Sequence, residues 1–491
     1  MSQTATKTRP EDRVSFAHRL AYGSGAFANN LLAGVFGGLA IVLNLGLGMD
    51  PVLAGIATGL LPRMFDAFTD PVMGYVSDNT QTRWGRRRPY IFVGAILVAI
   101  ALALVWQMPD GQSDSFYFWW FLVGSLAFYL AYTVFATPWV ALGYELTPDY
   151  DERSRLMGTQ NFIGQLAYFI PPWLLAIMTY EPLFENMVDG AAAVALVTAV
   201  LVLCLGLVPA IFLRERLAGI AAKESAARHT DKLSGIRALF RTVGDFFKSF
   251  VAALSFVPFL KLCLATFLIF NGFIMIAAFQ TYVIIYYVMG GDQAAGALWA
   301  GYAGTVATFA TFGVVAFVAW LATKIGKRRA FAVSTGISML GYLAKWFCYN
   351  PEVPWLVLLP GPLLAFGLGG LFTLMPSMMA DVVDLDELKT HERREGMFGS
   401  MYWWVVKLGM SVALVGGGFL LNATGFDVDL GAEQSEQTLL MLRIFDVGVP
   451  FIASAIAIYT ISTLDVTRET MHQVRLKLES RRGVPDAVPA E

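Results

Sequence analysis

Long apolar blocks constrain this chain more than any other feature of its sequence; Tyr90–Val105, Ala191–Leu213 and Val353–Leu371 are examples. Each approaches the ~20 residues that carry an α-helix across ~30 Å of hydrocarbon. Backbone polar groups cannot stay unpaired in lipid, so such blocks must be helices or belong to a closed barrel. Barrel strands would be short and alternating, and these blocks are neither. Charged residues make up only 15% of the 491, against about a quarter in soluble chains. The class that follows is an all-α membrane protein.

Block ends and turn residues predict twelve spans, near 17–46, 52–78, 89–107, 117–145, 154–180, 191–213, 258–288, 297–323, 329–348, 354–381, 396–421 and 440–463. Lys and Arg gather in alternate loops: Arg83 to Arg88, Arg153 with Arg155, Lys324 to Arg329, and Lys389 with Arg393 and Arg394. The opposite loops, 47–51, 108–116, 181–190, 289–296, 349–353 and 422–439, contain none. The positive-inside rule then predicts both termini in the cytoplasm of a bacterial inner-membrane protein. The first sixteen residues are polar and show no cleavable signal pattern, so the first span itself is expected to direct insertion.

The expected organisation is a cytoplasmic tail at 1–16, a six-helix bundle at 17–213 and a polar linker at 214–256. A second six-helix bundle at 257–463 and a cytoplasmic tail at 464–491 follow. The linker's composition suggests an amphipathic helix on the membrane surface. The basic loop Arg83–Pro89 has a counterpart in Lys324–Arg329, which favours an internal duplication over independent gathering of charge. Paired halves of this kind are a transporter architecture.

A net charge of −2 offers no basic surface for nucleic acid. Cys204, Cys263 and Cys348 lie in apolar segments at unrelated spacings and read as small hydrophobes. There is no phosphate loop, metal cluster or activated nucleophile, so an enzyme is not expected, nor a cofactor. The expected partners are a small-molecule solute and the lipid bilayer, with the chain a monomer.

The second span carries charges that a lipid environment should exclude. Asp66 and Asp70 are four residues apart, on one helical face. An ionised side chain at mid-bilayer costs at least ~2.5 kcal/mol, so two of one sign need a reason. Adjacent carboxylates raise each other's proton affinity unless a cation lies between them, which points to Na⁺ or a proton. Thr69 offers a further oxygen, and Pro71 leaves a backbone carbonyl one turn back without its donor. The alternative is a packing brace with Arg63 and a loop arginine. Lys407 is a second buried charge, about ten residues into the eleventh span, and the acidic pair is its expected partner. Lys345, Arg443 and Asp446 lie close to outer helix ends and are expected at the interface.

Asp66-Ala-Phe-Thr-Asp70-Pro-Val-Met-Gly74, followed by Thr82-Arg-Trp-Gly-Arg-Arg-Arg-Pro-Tyr90, resembles the glycoside–pentoside–hexuronide:cation symporters of the major facilitator superfamily. The likeness continues at Tyr22–Phe27, at Glu145–Arg153, and from Met379 through Arg393 to Lys407. It implies a major facilitator fold of twelve transmembrane helices in two six-helix bundles. It also implies cation-coupled symport of a sugar or glycoside-like solute by alternating access. Carried over by position, Asp66, Thr69, Asp70 and Thr133 match cation ligands, and Lys407 matches a lysine near them. Arg153, Asp381 and Arg393 resemble the charged network that closes the cytoplasmic side, as ion pairs weak enough to be remade.

The substrate positions depart from the melibiose-type pattern. Asn30, Ala136 and Asn161 stand where those carriers have charged sugar contacts, and Val140 replaces a stacking tryptophan. Asn30, Tyr132, Trp139, Asn161, Gln280 and Trp403 are the groups expected to take over substrate binding. With the sugar clamp gone, carriage of a lysolipid-like or other amphiphilic solute is the alternative. A sensor that binds without transporting would call for an output domain, and the chain shows only tails and a linker. The residues leave Na⁺ against H⁺ open.

Overall fold

The computed structural model describes residues 13–80, 82–109, 111–147, 150–215, 255–390 and 395–481. The chain divides into two compact units between residues 241 and 242. Among the described residues the structure is helical, its one extended pairing being an isolated bridge between Thr82 and Gly85. The first unit holds α1 (Phe16–Leu39), α2 (Leu61–Asn79), α3 (Arg88–Val105), α4 (Asp114–Glu145), α5 (Tyr150–Leu166) and α6 (Met187–Phe212). The second holds α7 (Val257–Tyr282), α8 (Gln293–Ile325), α9 (Lys327–Cys348), α10 (Pro360–Thr390), α11 (Glu395–Ala423) and α12 (Glu436–Ser462). A shorter polar helix, α13 (Arg468–Arg481), follows.

Helix starts are set by side chains that take up first-turn N–H groups otherwise left without partners. Ser15, Ser113, Asn186, Asp292 and Ser435 do this for α1, α4, α6, α8 and α12. Asp50 caps a short turn, Pro51–Gly55, which leads through a π-helical turn at Ile56–Leu60 into α2. A wide turn of this type re-aims the residues after it and recurs at functional sites. Here it immediately precedes Arg63, Asp66 and Asp70.

All twelve expected spans are present. The largest boundary difference is α5, which ends at Leu166 rather than 180, because the helix gives way to 3₁₀ turns at Ala167–Phe169 and Pro171–Trp173 before resuming over Leu174–Met178. α10 runs on to Thr390 rather than 381, its polar last turns continuing the helix past the apolar stretch. Among the described residues, ten helices are long and apolar enough to cross a membrane by length and composition. The two that fall short are α2, which carries Arg63, Asp66 and Asp70, and α9, which carries Lys345.

In the first unit α1 packs on α5 and α6, α2 on α4, and α3 on α4 and α6. In the second, α7 packs on α11 and α12, α8 on α10, and α9 on α10 and α12. Every pairing recurs six helices later, so the duplication suggested by the basic loops extends to the packing of each bundle. The repeated loops also do the same work. Arg88 donates to the carbonyls of Ala210 (2.7 Å) and Ile211 (3.1 Å) at the end of α6. Arg328 donates to Leu464 (3.0 Å) just beyond α12. In both bundles an arginine after the even-numbered helix covers carbonyls the last helix leaves open.

The basic loop of the first unit is itself held by acids. The Glu215 carboxylate accepts the backbone N–H groups of Arg86 (2.8 Å), Arg87 (2.7 Å) and Arg88 (2.9 Å), where the α3 dipole favours an anion. Gly85, at φ +107°, makes room; a Cβ there would lie 2.6 Å from that carboxylate. Glu145 receives the side chains of Arg86 and, at 2.7 Å, Arg87. The surface helix expected in the linker falls almost wholly on residues 216–254, outside the described residues.

One expectation is corrected. Lys345 and Asp446 are not interfacial: each side chain is 1% exposed, and they pair at 2.7 Å between α9 and α12. Near a helix end in sequence they are still in the bundle core, because α9 and α12 pack together along that stretch. Arg443 lies over the rings of Tyr287 (4.2 Å) and Trp346 (4.3 Å) and donates to the Trp346 carbonyl.

Candidate functional site

The acidic pair of α2 faces α4, and the two helices run in register as a ladder of three rungs. Arg63 stacks on the Tyr129 ring, its guanidinium carbon 4.7 Å from the centroid. One turn on, the Thr133 hydroxyl lies 2.8 Å from Asp66 Oδ1 and 3.0 Å from Asp70 Oδ1. One turn further, the Thr137 hydroxyl donates to Asp70 Oδ1 at 3.1 Å. Residues 129, 133 and 137 are four apart and lie on one face of α4, as 63, 66 and 70 do on α2. Thr69 closes the cluster, 3.3 Å from Thr133 and donating to the Asp66 carbonyl. Asp66 is fully buried.

Thr133 has a single hydroxyl proton and two carboxylates within reach of it. If both acids are ionised, that proton serves only one of them, and two anionic oxygens crowd one oxygen. A proton or a hard cation between them relieves the repulsion, and five oxygens (two carboxylate, three hydroxyl) stand ready to hold it. Arg63 adds a positive charge that acts on both acids. It lies near the start of α2, toward the 47–51 loop.

The expected substrate residues separate into groups. Tyr132 donates to Asn29 Oδ1 at 2.8 Å, and Asn29 donates to Asn30 Oδ1 at 3.2 Å, a polar chain from α4 to α1 beside the ladder. Trp139 belongs to the packing of α1 on α4. It is 2% exposed, stacked on Tyr22 at 5.2 Å, and its indole N–H goes to the Tyr22 carbonyl. Gly25 leaves the space it occupies. Asn161 is on the exposed side of α5. Gln280, Trp403 and Lys407 lie in the second unit: Gln280 and Lys407 half-buried, Trp403 exposed and edge-on to Tyr402. Of the gate residues, Asp381 is gripped by Lys327, at 2.8 and 2.7 Å, from the repeated basic loop. The Arg153 side chain and all of Arg393 lie outside the described residues.

Thr137 was not legible as a ligand, since a lone threonine in an apolar helix is ordinarily bonded to its own backbone. Its signal is the spacing of four from Thr133. Lys327 was legible only as a loop charge.

Two six-helix bundles built on one packing plan, with a buried carboxylate cluster inside the first, define a multi-pass membrane carrier. The sequence profile of the MFS/sugar transport protein family matches residues 21–468, and the chain belongs to that family. Its relatives include an isoprimeverose transporter of Lactiplantibacillus pentosus, 25% identical over 93% of this chain and 92% of that one. A glucuronide carrier protein homolog of Escherichia coli is 23% identical over 96% and 97%. Among solved structures, a bacterial homolog of the human lysosomal transporter Spinster superposes with a TM-score of 0.65 at 15% identity, covering 92% of this chain and 98% of that one. That likeness is one of fold.

Proposed function

We propose that the chain is a secondary active transporter of a bacterial inner membrane, taking up a sugar or glycoside-like solute with Na⁺ or H⁺ by alternating access. The observation that carries the reading is the Thr133 hydroxyl set between the carboxylates of Asp66 and Asp70. In this reading the coupling ion binds among Asp66, Asp70, Thr133, Thr69 and Thr137, relieving the crowding of like charge. Its arrival and departure change the charge of a buried site by a full unit, which is what couples it to solute movement. Lys407 is read as a partner of this site from its position in the family pattern. The Asn30–Asn29–Tyr132 chain supplies neutral donors and acceptors suited to hydroxyl-bearing solutes. Membership of a sugar transport family and relatives named for glycosides support the solute class. The chain acts as a monomer with its termini in the cytoplasm.

The test is uptake of labelled glycosides into vesicles under an imposed Na⁺ gradient, or an imposed pH gradient without Na⁺. Wild type should accumulate substrate under one of them, and Asp66→Asn and Asp70→Asn should not. Uphill accumulation by both variants would sink the ion site. Stabilisation of the protein by lysophospholipids and by no glycoside would overturn the solute class alone.

A further inference from the structure

The first residues of α1 and the last of α6 enclose an open groove of about 390 Å³, lined by Ala17, His18, Leu20, Ala21, Val208 and Phe212. Its walls are apolar, and Leu20 and Phe212 are exposed. Deeper in, the Ser24 hydroxyl reaches the Leu205 carbonyl at 3.1 Å and closes the groove's inner end. Such an open, largely apolar trough fits a hydrocarbon chain.

Positive charge stands at its mouth. Arg19 follows His18, and its buried Nε has no hydrogen-bond partner among the described residues; its guanidinium lies over the Phe16 ring at 5.9 Å. His18 is exposed, and so is Arg214, two residues beyond Phe212. The carbonyls at the end of α6, which would repel an anion, are covered by Arg88.

The second unit shows what this position looks like when it is satisfied. Lys261, in the first turns of α7, donates to the Thr463 carbonyl at the end of α12 at 2.9 Å. The same place in the repeat therefore has its cation spent on the neighbouring helix in one bundle, while among the described residues Arg19 Nε has no such acceptor in the other.

We propose that the α1–α6 groove is a binding site for an anionic phospholipid. One acyl chain lies between Leu20 and Phe212, and the phosphate is held by Arg19 with Arg214 and His18 around it. A phosphate supplies the acceptor that Arg19 Nε lacks among the described residues. The lipid's chain covers apolar surface next to a basic patch, the combination by which basic pockets between membrane helices select anionic headgroups.

The purified full-length chain is titrated in detergent with dioleoyl-phosphatidylglycerol and, separately, dioleoyl-phosphatidylcholine, and bound lipid is counted by native mass spectrometry. Phosphatidylglycerol should be held about tenfold more tightly, from two basic side chains near the phosphate. Arg19→Gln with Arg214→Gln should bring it down to the phosphatidylcholine level. Leu20→Trp, which fills the trough, should lower retention of both lipids. Equal affinity of the wild-type protein for the two lipids overturns the proposal, as does a preference that survives the double substitution. Should the double variant fail to fold, Leu20→Trp decides, because unchanged phosphatidylglycerol retention in that variant is incompatible with a lipid in this groove.

Discussion

Both bundles bury charge, and they do so in opposite ways. In the second, Lys345 and Asp446 meet at 2.7 Å, each 1% exposed, a closed pair of opposite signs. In the first, Asp66 and Asp70 share their side of the helix with each other, and the groups reaching between them are hydroxyls. The closed pair is complete without a ligand, so it fixes α9 against α12. In the proposed reading the like-charged pair holds the coupling ion, so its energy depends on what is bound. Burial of a charge does not by itself mark a functional site, since Lys345 and Asp446 are buried as a closed pair.

This contrast is broken most severely at the closed pair. Asp446→Asn leaves Lys345 buried and uncompensated and should cost about 3–5 kcal/mol, with a matching fall in thermal unfolding temperature of the purified protein. Lys345→Met combined with Asp446→Leu should recover most of that loss. If the single and double variants unfold together, the pair is not what holds α9 to α12.

Asp66→Asn should do the reverse. Removing one of two like charges should leave thermal stability unchanged or raise it, while affinity for the coupling ion falls at least about 100-fold, roughly 2.8 kcal/mol. Ion-dependent fluorescence or calorimetry on the purified protein measures the affinity. A large loss of stability would make the acid structural and erase the distinction between the bundles.

Thr133→Val removes the hydroxyl shared by both acids and keeps the shape of the side chain. Ion affinity should drop about tenfold, the worth of one hydrogen bond or ligand to a charged group. Thr137→Val, which touches Asp70 only, should cost less, about threefold, at the low end of a single hydrogen bond. The order of these two effects sharpens the site: if Thr137 matters more, the ion lies nearer Asp70 than the shared hydroxyl indicates.

The sequence by itself determined the twelve helices and the two acids. Lipid leaves a backbone no option but to bond within its own segment, so an apolar block of sufficient length is a helix whatever surrounds it. Asp66 and Asp70 stood out for a related reason: a charge in such a block is costly enough to require a purpose. Tertiary structure alone decided what each charge meets. Lys345 and Asp446 are 101 residues apart in the chain, and nothing local to either shows that α9 and α12 bring them into contact. Thr137 gained its role in the same way, through the parallel register of α4 beside α2. Charge can be read along a chain, but compensation is a property of neighbours, and neighbours are made by packing.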